Sequence, residues 1–170
     1  MQLSNLTGKT VAIMVASGFD EDIFIAIQRA MMSVNAKLRV ISRDAGLTNA
    51  WNGSGWGMSY PVDGTLSTTL AVDFDALIIP AGERHVATLT AEVHAKRLLR
   101  AFTREEMPIL LIDDATSLLD LIDMAAPAMG DDAEVAVEGR LSVGRGGALK
   151  AGLEALNDAM LVADGESVAA

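Results

Sequence analysis

Met107-Pro108-Ile109-Leu110-Leu111-Ile112 runs straight into Asp113-Asp114-Ala115, and the reading of the fold turns on this join. Four consecutive branched apolar residues after a proline suit a strand buried on both faces of a parallel sheet. The abrupt change to two carboxylates marks a strand-to-helix turn, with a helix expected over Thr116 to Ile122. The same texture occurs twice upstream. Thr10-Val11-Ala12-Ile13-Met14-Val15 closes on Ser17-Gly18, and Phe74-Asp75-Ala76-Leu77-Ile78-Ile79-Pro80 closes on Ala81-Gly82.

Between these runs the period changes from strand to helix. Asp20, Glu21 and Asp22 put negative charge where a helix N-terminus favours it, and Phe24, Ile27, Met31 and Val34 recur at three or four residues. Leu38-Arg39-Val40-Ile41 then reads as a second strand, completing a βαβ unit. From Thr48 to Pro61 the chain turns to Gly, Asn, Ser and aromatic residues, a turn-rich excursion compatible with a hairpin. A helix is expected over Thr90 to Arg104, with Val93, Leu98, Leu99 and Phe102 inward and Lys96, Arg97, Arg100 and Arg104 outward. The basic face from Arg84 to Arg104 has a potential complement in the acidic segment Glu154 to Glu166, within one chain or between two, and otherwise reads as a solvated helix face. Val135-Ala136-Val137 and Arg140-Leu141-Ser142-Val143 flank Glu138-Gly139 as a small hairpin, and a last helix follows Gly144-Arg145-Gly146-Gly147 to about Ala163. The expected fold class is α/β: a flavodoxin-like doubly wound sandwich, its central sheet mostly parallel with helices on both faces and a small β-hairpin. Residues 1–170 read as a single domain, with 164–170 a frayed tail.

Composition narrows the function classes. The 170 residues carry 23 acidic against 13 basic side chains, a formal charge of -10 that opposes a nucleic-acid role, since phosphate binding needs clustered Lys and Arg. The chain contains no cysteine, which excludes disulfides, thiolate metal sites and a thiol nucleophile. No apolar run approaches the roughly 20 residues of a spanning helix, and the N-terminus lacks the basic, apolar and small-residue pattern of a signal peptide. Cytoplasm is the expected location. No cofactor is expected and no metal site is read, because the only histidines, His85 and His94, lie nine residues apart with no second ligand at helical spacing.

Four stretches, 8–24, 73–84, 107–122 and 130–149, resemble the DJ-1/PfpI (ThiJ/PfpI) superfamily, the cysteine-centred flavodoxin-like proteins related to class I glutamine amidotransferases. Lys9 to Glu21 is similar to its opening strand and turn. Phe74-Asp75-Ala76-Leu77-Ile78-Ile79-Pro80-Ala81-Gly82 is similar to its second signature strand, with Ala81 replacing a glycine. Val137 to Gly146 is similar to a stretch near its C-terminus. In finer detail Pro108 to Ala115 resembles the flavodoxin-like C-terminal domain of large-subunit haem catalases, which also lacks the cysteine. The resemblance places Asp113 at the nucleophile's position, Asp114 at the frequent following histidine and Ile23 at the supporting glutamate. It makes Gly82 an oxyanion amide, and it puts Ala81, Glu83, His85 and Ala115 around the same pocket. An oxyanion donor without a nucleophile performs no covalent acyl transfer.

The expected function is therefore a non-catalytic interaction or stability module, homodimeric as the resemblance implies and linked through the catalase likeness to stress response. The alternatives are a hydrolase or lyase using Asp113 or Asp114 in the family pocket, and a small-molecule sensor with an unknown ligand. For Asp113 and Asp114 the bland reading is helix capping, and for His85 it is a surface imidazole. Gly53-Ser54-Gly55-Trp56-Gly57 reads as a turn rather than a phosphate loop, and Trp51 and Trp56 as either partner anchors or cover for the sheet edge.

Overall fold

β1 (Thr10–Val15) alternates its side chains between two cores, Val11, Ile13 and Val15 on one face and Ala12 and Met14 on the other. The computed structural model to which it belongs describes the backbone of residues 3–169 and the side chains of residues 3–163. After a turn at Ser17-Gly18 and the two-residue β2 (Phe19–Asp20), α1 (Glu21–Ser33) begins where the Asp20 carboxylate accepts from the Ile23 amide at 3.0 Å. α1 buries Ile23, Phe24, Ile27 and Met31, each worth about 1.5–3 kcal/mol of transfer free energy. Its end is set by Asn35 at φ 63°, the left-handed conformation that stops helices. β3 (Lys37–Ser42) then pairs in parallel with β1, from Thr10 opposite Lys37 to Val15 opposite Ser42.

The Gly- and Asn-rich excursion is a hairpin, as its composition suggests. β4 (Leu47–Trp51) and β5 (Trp56–Pro61) pair antiparallel, and β4 also pairs with β2, making a separate three-stranded sheet. Asn52 builds its turn: the side-chain oxygen accepts from the Ser54 and Gly55 amides at 3.1 and 3.0 Å. β6 (Gly64–Thr65) returns beside β3, and β7 (Ala76–Ile79) lies on the other side of β1. This change of direction makes β1 and β7 the topological switch point, the place where open α/β sheets present ligand crevices.

The helix expected over Thr90 to Arg104 is present from Val93, and a further helix that the sequence reading did not include precedes it. α2 (Glu83–Thr90) starts directly after β7, and α3 (Val93–Arg104) starts where the Glu92 carboxylate accepts from the His94 amide at 3.2 Å. Val93, expected inward, is 68% exposed, and Ala95 takes the inward position ahead of Leu98, Leu99 and Phe102. Val93 lies in the first turn, on the side away from the stripe those residues define.

β8 (Ile109–Ile112) is buried throughout, and the segment after it, Asp113–Ile122, is wound as a 3₁₀ helix rather than an α-helix, ending at Asp123 with φ 56°. β9 (Val135–Glu138) and β10 (Leu141–Gly144) form the expected antiparallel hairpin, and β10 joins β8 in parallel. The main sheet thus runs β6-β3-β1-β7-β8-β10-β9 and is parallel except at β9. α4 (Leu149–Ala169) continues past the expected end at Ala163. No proline stops it, and the lone Gly165 costs only about 1 kcal/mol. The expected fraying from Asp164 onward falls on side chains outside the described ones.

α1 and α4 pack on one face of the sheet and α2, α3 and the 3₁₀ segment on the other. α3 and the described acidic side chains of α4, Glu154 and Asp158, therefore lie on opposite faces of the sheet, and no ion pair joins them among the described residues. No helix among the described residues is long and apolar enough to cross a membrane.

Candidate functional site

The carboxyl ends of β1, β7 and β8 are tied together by their turns. At the end of β8, where the resemblance leads one to expect a nucleophile's position, Asp113 has φ 50°, a left-handed conformation. For a residue with a Cβ this conformation costs on the order of 1–2 kcal/mol, least for Asp and Asn, whose short polar chains bond locally. Both elbow carboxylates are exposed, and neither caps its own helix, since the 3₁₀ segment has no side-chain cap. They reach across the fold instead. Asp113 Oδ2 accepts from the Gly146 amide at 2.9 Å, and Asp114 Oδ1 accepts from the Gly82 amide at 3.0 Å. Charge-assisted bonds of this kind are among the stronger ones in proteins.

Gly82 is required by space as well as by conformation. Its φ is 145°, and a Cβ there would lie 2.7 Å from the Gly18 carbonyl oxygen and 2.8 Å from Phe19 Cα, both backbone atoms. The neighbouring Ala81 carbonyl accepts from the Asp20 amide at 2.8 Å, which fastens the end of β7 to β2. Gly146 is similarly confined: a Cβ there would meet Asp113 Oδ2 at 2.6 Å and Ile23 Cδ1 at 2.8 Å. Ile23 thus fills the space beside Asp113 with hydrocarbon and is itself buried. Ala115 is fully buried behind the elbow, in the core beneath the 3₁₀ segment.

His85 is neither a surface imidazole nor a group at the pocket mouth. Because α2 begins at Glu83, residues 85, 86 and 89 turn toward the sheet, and His85 is completely buried. Its Nδ1 accepts from the Ala16 amide at 3.2 Å and its Nε2 donates to the Pro80 carbonyl at 2.5 Å, which defines a neutral tautomer with both nitrogens satisfied. Burial pushes its pKa down to about 4, against a smaller opposing pull from the Pro80 carbonyl. The imidazole joins the ends of β1 and β7 just beneath the site and takes no part in its surface. No group of three or more His, Asp or Glu side chains among the described residues could hold a metal ion.

Above these turns lies an open cleft of about 460 Å³. Asp113, Asp114, Glu83 and Asp20 line it along with the backbone at Gly18, Ala81 and Gly82, and Trp51 and Arg84 contribute a further wall. Sequence reasoning did not find that wall. Trp51 and Trp56 meet edge to face, 5.4 Å apart at 85°, and the Arg84 guanidinium carbon lies 4.4 Å from the Trp51 ring centre and 5.7 Å from that of Trp56. A cation over an indole face is worth about 0.5–1 kcal/mol at solvent-accessible sites. The hairpin bearing the tryptophans is held to α1 by Glu21, whose Oε2 accepts from the Met58 amide at 2.7 Å and from the Tyr60 hydroxyl at 3.2 Å. Burial, and then the charge of Glu21 and that hydrogen bond, raise the Tyr60 pKa, so the phenol stays a donor.

No protein-family profile matches the chain, and no curated protein matches it. Solved structures do. The ThiJ/PfpI domain protein of Brachyspira murdochii superposes with a TM-score of 0.78 over 92% of this chain and 98% of that one, at 17% identity. DJ-1 of Schizosaccharomyces pombe gives a TM-score of 0.71 over 91% of this chain and 97% of that one, at 16% identity. A two-domain protein of Anabaena variabilis with DJ-1/ThiJ/PfpI-like and ferritin-like domains gives 0.70 at 18% identity, over 81% of this chain and 43% of that one. This chain therefore spans less than half the length of that protein. At these identities the likeness establishes the fold. The molecule has the flavodoxin-like fold of the ThiJ/PfpI and DJ-1 superfamily proteins, as its four motif stretches imply. Within that fold it has a left-handed aspartate, Asp113, at the end of β8, and its sequence contains no cysteine.

Proposed function

We propose that this protein is a DJ-1/PfpI-type chain that has given up the nucleophile and works as a non-catalytic interaction or stability module. The observation that carries the proposal is the bond from the Gly82 amide to Asp114. An oxyanion hole accelerates acyl transfer only if its donors are free to meet the developing charge, and this donor already holds a full carboxylate. The apex residue is likewise engaged, with Asp113 on the Gly146 amide and Ile23 packed where a polar support would be needed. Homodimeric assembly, a cytoplasmic location and a link to stress physiology belong to the same proposal. They are supported by the resemblance to DJ-1/PfpI proteins and to the catalase-appended domain.

A second reading, water activation by Asp113 or Asp114, is favoured by one feature, the exposure of both carboxylates to an open cleft. One experiment separates the two. The purified protein is assayed against glutamine, glyoxals, peptides and simple esters, alongside Asp113→Asn and Asp114→Asn. The module reading expects no turnover above buffer from any of the three. Turnover by the parent that vanishes in Asp113→Asn, with the circular dichroism spectrum unchanged, establishes a repurposed enzyme instead.

A further inference from the structure

The cleft is lined by charges of both signs, Arg84 together with Asp20, Glu83, Asp113 and Asp114, and Arg84, Asp113 and Asp114 are each held in place by something other than one another. Arg84 packs over Trp51, its guanidinium carbon 4.4 Å from the ring centre, and no described residue accepts a hydrogen bond from its guanidinium. With no acceptor in the chain, its N–H donors remain available in the planar fork that matches a carboxylate. Asp113 and Asp114 each commit one oxygen to a backbone amide, and Asp113 Oδ1 and Asp114 Oδ2 receive no bond from any described residue. The bonded oxygens fix the two carboxylates, and the remaining ones are acceptors for a group with several donors, such as an ammonium.

We propose that this cleft binds a small zwitterion of amino-acid size, its carboxylate on the Arg84 fork and its ammonium between Asp113 and Asp114; the proposal rests on the non-catalytic reading of the same pocket. A simple anion meets Arg84 but is repelled by the carboxylates around it, and a simple cation meets the carboxylates but faces Arg84. A ligand bearing both charges satisfies both. The volume of about 460 Å³ lies within the range of small-molecule sites. Gly18 and Gly82 line the cleft with bare backbone, since a Cβ at either would collide with neighbouring protein atoms.

The test is isothermal titration calorimetry of the full chain with each of the twenty L-amino acids. Any that binds is followed by its α-amide, which keeps only the ammonium, and by its des-amino acid, which keeps only the carboxylate. Saturable binding of at least one amino acid is expected, with each singly charged analogue weaker by about tenfold or more. Arg84→Leu should bring the amino acid down to the affinity of its amide, and Arg84→Lys should recover only part of the loss, because Lys lacks the fork. Paired Asp113→Asn and Asp114→Asn substitutions should bring the amino acid down to the level of the des-amino acid. Absence of binding by all twenty, or singly charged analogues that bind as well as the parent, overturns the proposal. Continuous heat in place of a saturating isotherm reports turnover. That outcome refutes the non-catalytic function and leaves the ligand class supported.

Discussion

Acidifying the protein from pH 7 to pH 5 should weaken it measurably through one residue. His85 is buried with both nitrogens bonded as a neutral ring, and its pKa is lowered from 6.5 to about 4. The unfolded chain therefore takes up this proton first. The stabilisation is fully present above pH 6.5 and is lost as the pH falls toward 4. At 1.36 kcal/mol per unit the whole window is worth about 3 kcal/mol, of which about 2 kcal/mol falls between pH 7 and pH 5. Urea unfolding followed by tryptophan fluorescence at pH 7, 6 and 5 measures the slope. The comparison is His85→Gln, which cannot take up the proton. His94 and the carboxylates are common to both proteins and cancel in the difference, so the variant should lose about 2 kcal/mol less than the parent over that range. Equal slopes would refute the argument. Should the variant fail to fold, the parent's imidazole resonances decide: a His85 ring that titrates near pH 6.5 in the folded state is incompatible with this account.

Three further outcomes follow from the geometry of the turns. Gly82→Ala should cost about 3 kcal/mol or more or prevent folding, because the added carbon lies under 3 Å from backbone atoms that cannot step aside; a melting temperature within a few degrees of the parent counts against the packing described. Asp114→Ala should cost about 1–2 kcal/mol by leaving the Gly82 amide without its charged acceptor, read as a drop in melting temperature of roughly 2–8 °C. Glu21→Gln should leave α1 formed but loosen the hairpin, seen as faster amide exchange at Met58 with little change in the main sheet.

Where neighbouring residues decide the structure, the sequence is informative. β1, α1 and β3 follow from period and caps alone, and the 135–143 hairpin follows from two short strands around Glu138-Gly139. α2 escapes such reading because its buried face includes His85, and a histidine does not extend an apolar stripe. What satisfies that histidine, the Ala16 amide 69 residues away, is set by the sheet and cannot be read locally. The site divides the same way. The elbow's location is visible in Ile112-Asp113, and the resemblance points to Gly82 and Ile23. The bonds from Gly82 to Asp114 and from Gly146 to Asp113 span 32 and 33 residues and exist only once β7, β8 and β10 are aligned. Trp51 is noticeable in sequence for its rarity. Its partner Arg84 is not, because only the approach of the small sheet to α2 brings the two together.

The left-handed turn at Asp113 persists in a chain with no thiol to present. Such a turn is commonly read as strain kept for the sake of chemistry, yet here the strand end and the Gly146 amide sustain it unaided. The molecule is thus a ready comparison system for dissecting its reactive counterparts. On the proposed reading of the pocket, Asp113→Cys would place a thiol on this left-handed turn while Asp114 still holds the Gly82 amide, and a second substitution at Asp114 would release that amide. Thiol activation and oxyanion stabilisation, which arrive together in a working enzyme, could then be introduced and measured one at a time.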